Sequence, residues 1–336
     1  MNQVNDIFLR KINETWARVE ADPGIIKELS DSYTFDVPGA KFMPAYRKKY
    51  WDGKIRLVKA GTNKVYSGLV DSIEEWAKDH SYSFGTDLSF NQQVEKLAFN
   101  KWYSSGQAIT PREYQIKAIY TSVKRKRALF LSPTASGKSL IIYTVARNLL
   151  SKIKGKVLIL VPTTSLVEQL YSDFIDYANG EWDVEANCTR IYSGMERENK
   201  RITISTWQSL YSLPKEAFEN YGGVIGDEAH LYKSKEISGL LEKLESAEYR
   251  YGFTGTLDGV QTNKLILEGL FGKTIQIAST SELVQKKYLA NFKINCITID
   301  HPQEDRVKNK DNNYEEEISF LISHNLRNRF IVDLAK

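Results

Sequence analysis

Hydrophobic and polar positions divide the chain into three stretches of different pattern. Residues 1–105 mix short alternating runs with amphipathic ones. Lys54-Ile55-Arg56-Leu57-Val58 alternates, which predicts a half-buried strand, and Leu69–Asp79 places Ile73, Trp76 and Ala77 on one face at helical spacing. A second helix is predicted near Asn91–Tyr103, followed by Ser104-Ser105-Gly106 as a linker. This stretch predicts a small α+β domain. Over 106–285 the apolar runs become continuous. Ala128–Leu131, Val157–Val161, Ile202–Ser205, Val224-Ile225 and Tyr251–Phe253 read as strands, with helices from Lys138, from Ser165 and over Ser238–Leu244. Short apolar strands separated by helices predict an α/β domain whose parallel sheet is covered on both faces. Its ligands would bind at the carboxyl ends of the strands. Over 286–336 a strand (Phe292–Ile299), a polar stretch (His301–Asn313) and a helix toward Lys336 are predicted.

Composition narrows the class. With 42% hydrophobic and 26% charged residues the chain has a globular balance, which excludes a disordered or fibrous protein. Its longest apolar run, Val157–Val161, falls far short of the ~18 residues a membrane helix needs. The N-terminus has neither the apolar core nor the cleavage site of a secretory signal. Cys188 and Cys296 build no disulfide framework and no zinc site. A cytoplasmic protein is expected (the host cytoplasm, if phage-encoded), monomeric, with no membrane and no zinc.

The net charge is only +4, but it is unevenly spread. Between Lys41 and Lys64 eight basic residues stand against the single acid Asp52, interleaved with Phe42, Tyr46, Tyr50 and Trp51. Cations neutralise phosphates and aromatic rings stack on bases, so this run is a candidate nucleic-acid contact. A solvated surface loop is the competing reading. Lys124-Arg125-Lys126-Arg127 forms a second cluster.

Candidate chemistry sits at strand ends. Ala128–Leu131 runs into Ser132-Pro-Thr-Ala-Ser-Gly137-Lys138-Ser139, with a helix predicted at once afterwards. Strand, glycine-containing loop and helix N-terminus make a phosphate-binding loop, whose N–H groups and helix dipole hold the anion. Lys138 would reach the β- and γ-oxygens and Ser139 would hold Mg²⁺. Ser132 stands where the pattern has its first glycine. Farther on, Asp227-Glu228-Ala229-His230 ends an apolar run. Asp227 suits a Mg²⁺ ligand and Glu228 a general base for water. The alternative is an acidic surface turn, with Gly222-Gly223 weakening the strand before it. Phe253-Thr254-Gly255-Thr256 alone reads as a turn.

Together, Pro111-Arg-Glu-Tyr-Gln115, SPTASGKS, Val161-Pro-Thr-Thr-Ser-Leu-Val-Glu-Gln169, Thr206-Trp-Gln-Ser-Leu210, Asp227–His230 and Thr254-Gly-Thr256 resemble, in order and spacing, the amino-terminal half of a superfamily 2 helicase. The segment Arg47-Lys-Lys-Tyr-Trp-Asp-Gly-Lys-Ile-Arg56 is similar to the phage UvsW-type recombination helicases. The resemblance implies a RecA-like P-loop domain and residue roles. Arg112 and Gln115 would read adenine, and Thr134, Ala135, Ser136, Gly137, Lys138 and Ser139 would bind the triphosphate of ATP. Asp227 and Glu228 would serve Mg²⁺ and water, and His230, Thr254 and Thr256 would couple nucleotide state to DNA grip. Thr163, Thr164, Thr206 and Gln208 would touch strand phosphates through hydroxyls and backbone N–H groups. Arg47, Lys48, Lys49 and Trp51 are the expected N-terminal DNA contacts.

The implied activity is ATP-driven remodelling of branched or duplex DNA by branch migration. Residues 286–336 would begin a second RecA-like domain whose remainder is missing, so turnover is expected to be impaired. Two rivals stay open. One is an RNA helicase or restriction-enzyme motor, and the other is a nucleotide-gated DNA-binding module without turnover.

Overall fold

The computed structural model describes residues 5–90, 109–192, 198–291, 295–300 and 314–335. Two compact units separate at Leu289/Ala290. The predicted helix near Asn91–Tyr103, its following linker and the polar stretch His301–Asn313 lie outside the described residues.

The first unit opens with a four-stranded sheet: β1 (Ile7–Lys11), β2 (Trp16–Ala21), β5 (Lys64–Tyr66) and β6 (Phe84–Thr86), in the order β5-β2-β1-β6. β1 pairs antiparallel with β2 and parallel with β6, and β2 pairs antiparallel with β5. Ile7 and Leu9 alternate with Phe8 and Arg10, so one face is buried and one is wet. Helices Pro23–Ser32 and Val70–Asp79 cover the buried face through Ile26, Leu29, Ile73 and Ala77. A two-stranded ribbon, β3 (Thr34–Asp36) with β4 (Lys54–Arg56), carries the basic aromatic run on its connection. The alternation at 54–58 thus yields three strand residues, after which Leu57 and Val58 turn into the core.

A seven-stranded sheet follows. It comprises β7 (Arg127–Leu131), β8 (Lys156–Val161), β9 (Cys188–Ile191), β10 (Ile202–Thr206), β11 (Tyr221–Gly226), β12 (Tyr249–Thr254) and β13 (Thr274–Gln276). The order is β13-β7-β12-β11-β8-β10-β9 and every pair is parallel. In β8, Val157, Ile159 and Val161 join the core beneath helices Lys138–Lys152 and Thr164–Ala178. Leu158 and Leu160 point the other way, into a core shared with helices Lys235–Glu242 and Gln261–Phe271. That second core also contains Ile7, Leu9, Val65, Leu69 and Ile73. The N-terminal sheet therefore packs on the seven-stranded sheet through one continuous apolar interior. The chain is α/β, with a small α+β domain ahead of a parallel sheet.

The glycine pair expected to weaken β11 has the opposite effect. A Cβ on Gly223 would lie 3.0 Å from Leu149 Cδ1, so its absence lets helix Lys138–Lys152 pack close. The expected strand Phe292–Ile299 is corrected by the structure. The described part, 295–300, is exposed and pairs with no strand among the described residues. An apolar run becomes a strand only where a neighbour completes its backbone hydrogen bonds. The second unit's described residues otherwise form helices Tyr314–Ser323 and Asn325–Leu334.

Candidate active site

Four strand ends converge on one cleft. β7 delivers the loop Ser132–Gly137, β12 ends at Thr254, β11 ends before Asp227, and β8 ends at Val161. The register fixes their alignment: Thr254 opposite Leu131, and Gly226 opposite Leu160. The cleft has room for about 240 Å³ and is lined by Ala135, Gly137, Lys138, Ser139, Asp173 and Asp227, among others.

The loop is shaped by its own polar groups. Ser132, at the missing-glycine position, is fully buried, and its hydroxyl lies 2.6 Å from that of Ser136. Ser136 is buried too, and its carbonyl oxygen accepts from Tyr114 Oη and Gln115 Nε2. Its side chain therefore braces the loop from behind, where the sequence had suggested a phosphate contact. Ala135 (φ 61°) and Gly137 (φ 73°) both take the left-handed conformation. Alternation of this kind turns N–H groups toward one point and makes an anion nest. A Cβ on Gly137 would fall 2.5 Å from Gln115 Nε2, so glycine is required there. Thr134 and Ala135 are exposed at the rim.

Gln115 departs from its expected role. Only 4% exposed, it donates to the carbonyls of Ser136 and Gly137 and accepts from the Arg112 N–H. Its amide is committed to the loop and is not turned out toward a base. Arg112 lies over the Tyr288 ring, 4.4 Å from the centroid.

Charge is arranged across the cleft. Lys138 Nζ lies 3.4 Å from Glu228 Oε1, with Lys138 nearly buried. Burial first, and then the charge of Glu228, push Asp227 up to about 6, against the pull of Lys138 and of the Glu228 N–H. Glu228 is itself left-handed (φ 49°, ψ 49°), a strained conformation for a glutamate. His230 Nδ1 stands 3.4 Å from Glu228 Oε2 and 3.0 Å from Thr254 Oγ1. Thr254 gives its one hydrogen to the Thr256 carbonyl, so His230 Nδ1–H is the donor to Thr254. The four residues Glu228, His230, Thr254 and Thr256 form a single polar chain whose Thr254 end is tied to the loop by the Ser132 N–H.

The donor set fits a triphosphate with its divalent cation. A hydroxyl (Ser139) and a carboxylate (Asp227) are hard oxygen ligands, and a nest and an ammonium face the same space. At present the Ser139 hydroxyl lies 2.8 Å from Tyr177 Oη.

Comparison with known proteins places this geometry. Residues 6–87 match the family "DNA helicase UvsW, N-terminal", and residues 108–259 match "Type III restriction enzyme, res subunit". The crystal structure of the UvsW helicase from bacteriophage T4 superposes with a TM-score of 0.74 at 30% identity, covering 81% of this chain and 99% of that one. The chain belongs to the UvsW helicase family. A second T4 UvsW structure superposes at a TM-score of 0.75 over 98% of this chain and 67% of that one, also at 30% identity. In sequence, the ATP-dependent DNA helicase uvsW of Enterobacteria phage T4 is 31% identical over 95% of this chain. The DNA 3'-5' translocase XPB2 of Sulfurisphaera tokodaii is 29% identical over 64%. The chain spans 65% of the T4 helicase's length and 46% of the translocase's.

For a UvsW-family chain the nucleic-acid side deserves the same accounting. The ends of β8 and β10 lie side by side, with Thr206 opposite Val161, so Thr163, Thr164, Thr206 and Gln208 cluster at one sheet edge. Thr164 and Gln208 are exposed. Thr163 Oγ1 accepts the Leu166 N–H as a helix cap, and the buried Thr206 hydroxyl pairs with Ser209 at 2.9 Å. These two hydroxyls, expected to meet phosphates, serve their own turns.

In the N-terminal domain Arg47, Lys48 and Lys49 are exposed, as are Phe42 and Tyr50. Trp51 is half-buried and donates its indole N–H to the Lys54 carbonyl, which closes the loop on itself. Arg127, named in the second basic cluster, is instead buried at the seam. Sequence reasoning missed Glu14, Thr15 and Arg250, which with Arg127 fasten this domain to the sheet, and Asp173 and Tyr177 beside Ser139. Nothing local marks them: each reads as an ordinary surface residue until the chain is folded.

No described helix is long and apolar enough to cross a membrane, and no described cluster of side chains could hold a metal ion without added ligands.

Proposed function

We propose that this chain is the nucleotide-binding lobe and N-terminal DNA-binding domain of an ATP-driven helicase that remodels branched DNA. The observation that carries the reading is the Lys138–Glu228 pair, set beside a half-buried Asp227 at the carboxyl ends of the strands, the side that also bears Thr164 and Gln208. Bound with Mg²⁺, ATP would supply the phosphoryl bond whose hydrolysis drives the cycle. Lys138 exchanges Glu228 for the β- and γ-oxygens when the triphosphate enters. Glu228, released, orients the attacking water as a general base. The strained Glu228 backbone and the His230–Thr254–Thr256 chain carry that exchange toward the DNA-facing loops. Arg112 holds the base side of the site, and Gln115 braces the loop through its bonds to the Ser136 and Gly137 carbonyls.

The basic aromatic run takes the DNA backbone. Its cations bind without regard to sequence, as a motor that moves along DNA requires. Branch migration at forks and four-way junctions, and a part in recombination and repair, are the functions this assigns, in the host cytoplasm for a phage protein. The likeness to T4 UvsW along 98% of the chain supports reading residues 286–336 as the entry to a second RecA-like lobe.

Phosphate release by the 336-residue chain is measured without DNA, with duplex and with a four-way junction, next to Lys138→Ala. Weak junction-stimulated release, abolished by Lys138→Ala, is the expected result. Nucleotide-dependent, salt-sensitive DNA binding without release would instead favour a gated binding module. A chain that binds neither ATP nor DNA ends the motor reading.

A further inference from the structure

Helix Thr164–Ala178 presents one face to the nucleotide cleft. Leu166, Gln169, Leu170 and Asp173 line it, and Tyr177, one turn beyond Asp173, reaches the Ser139 hydroxyl at 2.8 Å. An apolar residue would be the easy choice among Leu166 and Leu170, yet a carboxylate stands at 173. Among the described residues Asp173 has no cationic partner. Its carboxyl is half-buried, lines the cleft together with Ser139 and Asp227, and takes a hydrogen bond from the Ser139 hydroxyl. A half-buried carboxylate with no protein cation to balance it points to a cation from outside.

We propose that Asp173 is a positioning residue of the metal site, standing behind Ser139 and fixing how that hydroxyl and the cation's water shell are oriented between Ser139 and Asp227. The inference rests on the nucleotide-site reading above. Its physical basis is the single hydrogen of a serine hydroxyl. To offer a lone pair to a cation, Ser139 must send that hydrogen away from the ion, and Asp173 is the acceptor on the far side. Magnesium also keeps several of its waters, whose hydrogens need acceptors. A carboxylate beyond the direct ligands supplies both services. Tyr177 is the neutral alternate partner, which holds Ser139 when no cation claims it.

The test is Mn²⁺ binding, followed by electron paramagnetic resonance, to the 336-residue chain saturated with a non-hydrolysable ATP analogue. Asp173→Asn is expected to weaken Mn²⁺ roughly 10- to 100-fold, and Asp173→Glu to restore most of the loss. Affinity for the analogue in EDTA is expected to stay unchanged. Ser139→Ala should weaken Mn²⁺ comparably, and the double variant should add little, since the two residues act through one contact. Wild-type Mn²⁺ affinity in Asp173→Asn, equal loss of analogue binding in EDTA, or fully additive losses would each overturn the proposal. If the unaltered chain binds no analogue, the nucleotide-site reading falls first and this inference with it.

Discussion

Arg250 and Asp227 sit at opposite ends of the same parallel sheet, and both are charged groups held out of water. Arg250, in β12, lies at the seam with the N-terminal sheet and is completely buried. It donates to the carbonyls of Leu241, Leu244, Ala247 and Leu270 and to the Thr15 hydroxyl at 2.7 Å. Its register partner Arg127 reaches the same turn, where it bonds to the Glu14 carbonyl and to Glu14 Oε2 at 2.7 Å. Burial, and then the neighbouring Arg127, push Arg250 down to about 9, with Glu14 opposing. Burial acts to raise Glu14 as well, but the charges of Arg127 and Lys11 prevail and hold it below its ordinary range. Each guanidinium nitrogen of Arg250 is used, whereas Arg127 Nη1 is buried without a hydrogen-bond partner. In the cleft, by contrast, Asp227 is pushed up to about 6 and accepts only the N–H of Glu228. Completed bonding marks charge that joins two domains. Incomplete bonding marks charge kept for a ligand, with instability as its consequence.

Three substitutions sharpen that contrast, the largest first. Arg250→Ala strands several buried carbonyls and opens a cavity under the N-terminal sheet. A loss of about 3–5 kcal/mol is expected in urea denaturation. A loss below about 1 kcal/mol would mean that the seam is not a stability element. Asp227→Asn should do the reverse in the metal-free chain. Burial pushes the folded carboxyl up to about 6 from the ordinary 3.8, so the folded state holds the proton more tightly. Asp227 therefore costs stability fully above about pH 6, and the cost fades as pH falls toward 4. Asp227→Asn is expected to gain at most ~3 kcal/mol at pH 8 and nothing near pH 4, while ATP hydrolysis is lost. Melting curves at the two pH values decide it, and an equal gain at both would break the argument.

The smallest effect belongs to the exposed loop, where charge is neither buried nor paired in this way. Changing Arg47, Lys48 and Lys49 together to Ala should leave stability within about 0.5 kcal/mol. The logarithmic salt slope of duplex binding should become shallower by about 0.9 for each phosphate contact removed. An unchanged slope would reduce this run to a solvated loop.

Much of the parallel-sheet domain was legible because it obeys local rules. Five of the seven strands in the parallel sheet read as apolar runs, since a strand buried on both faces has little polar alternation to disguise it. β9 (Cys-Thr-Arg-Ile) and β13 (Thr-Ile-Gln) did not: both sit at the ends of the strand order, where one side is unpaired and polar residues are tolerated. The phosphate loop and the Asp227–His230 segment were found from strand ends and spacing.

The sequence by itself determined where the glycine-containing loop and the acids of Asp227-Glu228 would meet, because a loop between a strand and a helix carries its chemistry in consecutive residues. Only the tertiary structure decided what each side chain is free to do. Gln115 and Ser136 turned inward to brace the loop, Thr206 turned to its own turn, and Asp173, an unremarkable acid within a helix, came to stand behind Ser139. A side chain's hydrogen bonds are finite in number, and which partner takes them depends on residues far away in the chain. The same holds for Arg250, which lies 235 positions from the Thr15 it touches. Spacing along the chain cannot express such a contact, because it exists only once two sheets have buried their apolar faces against each other.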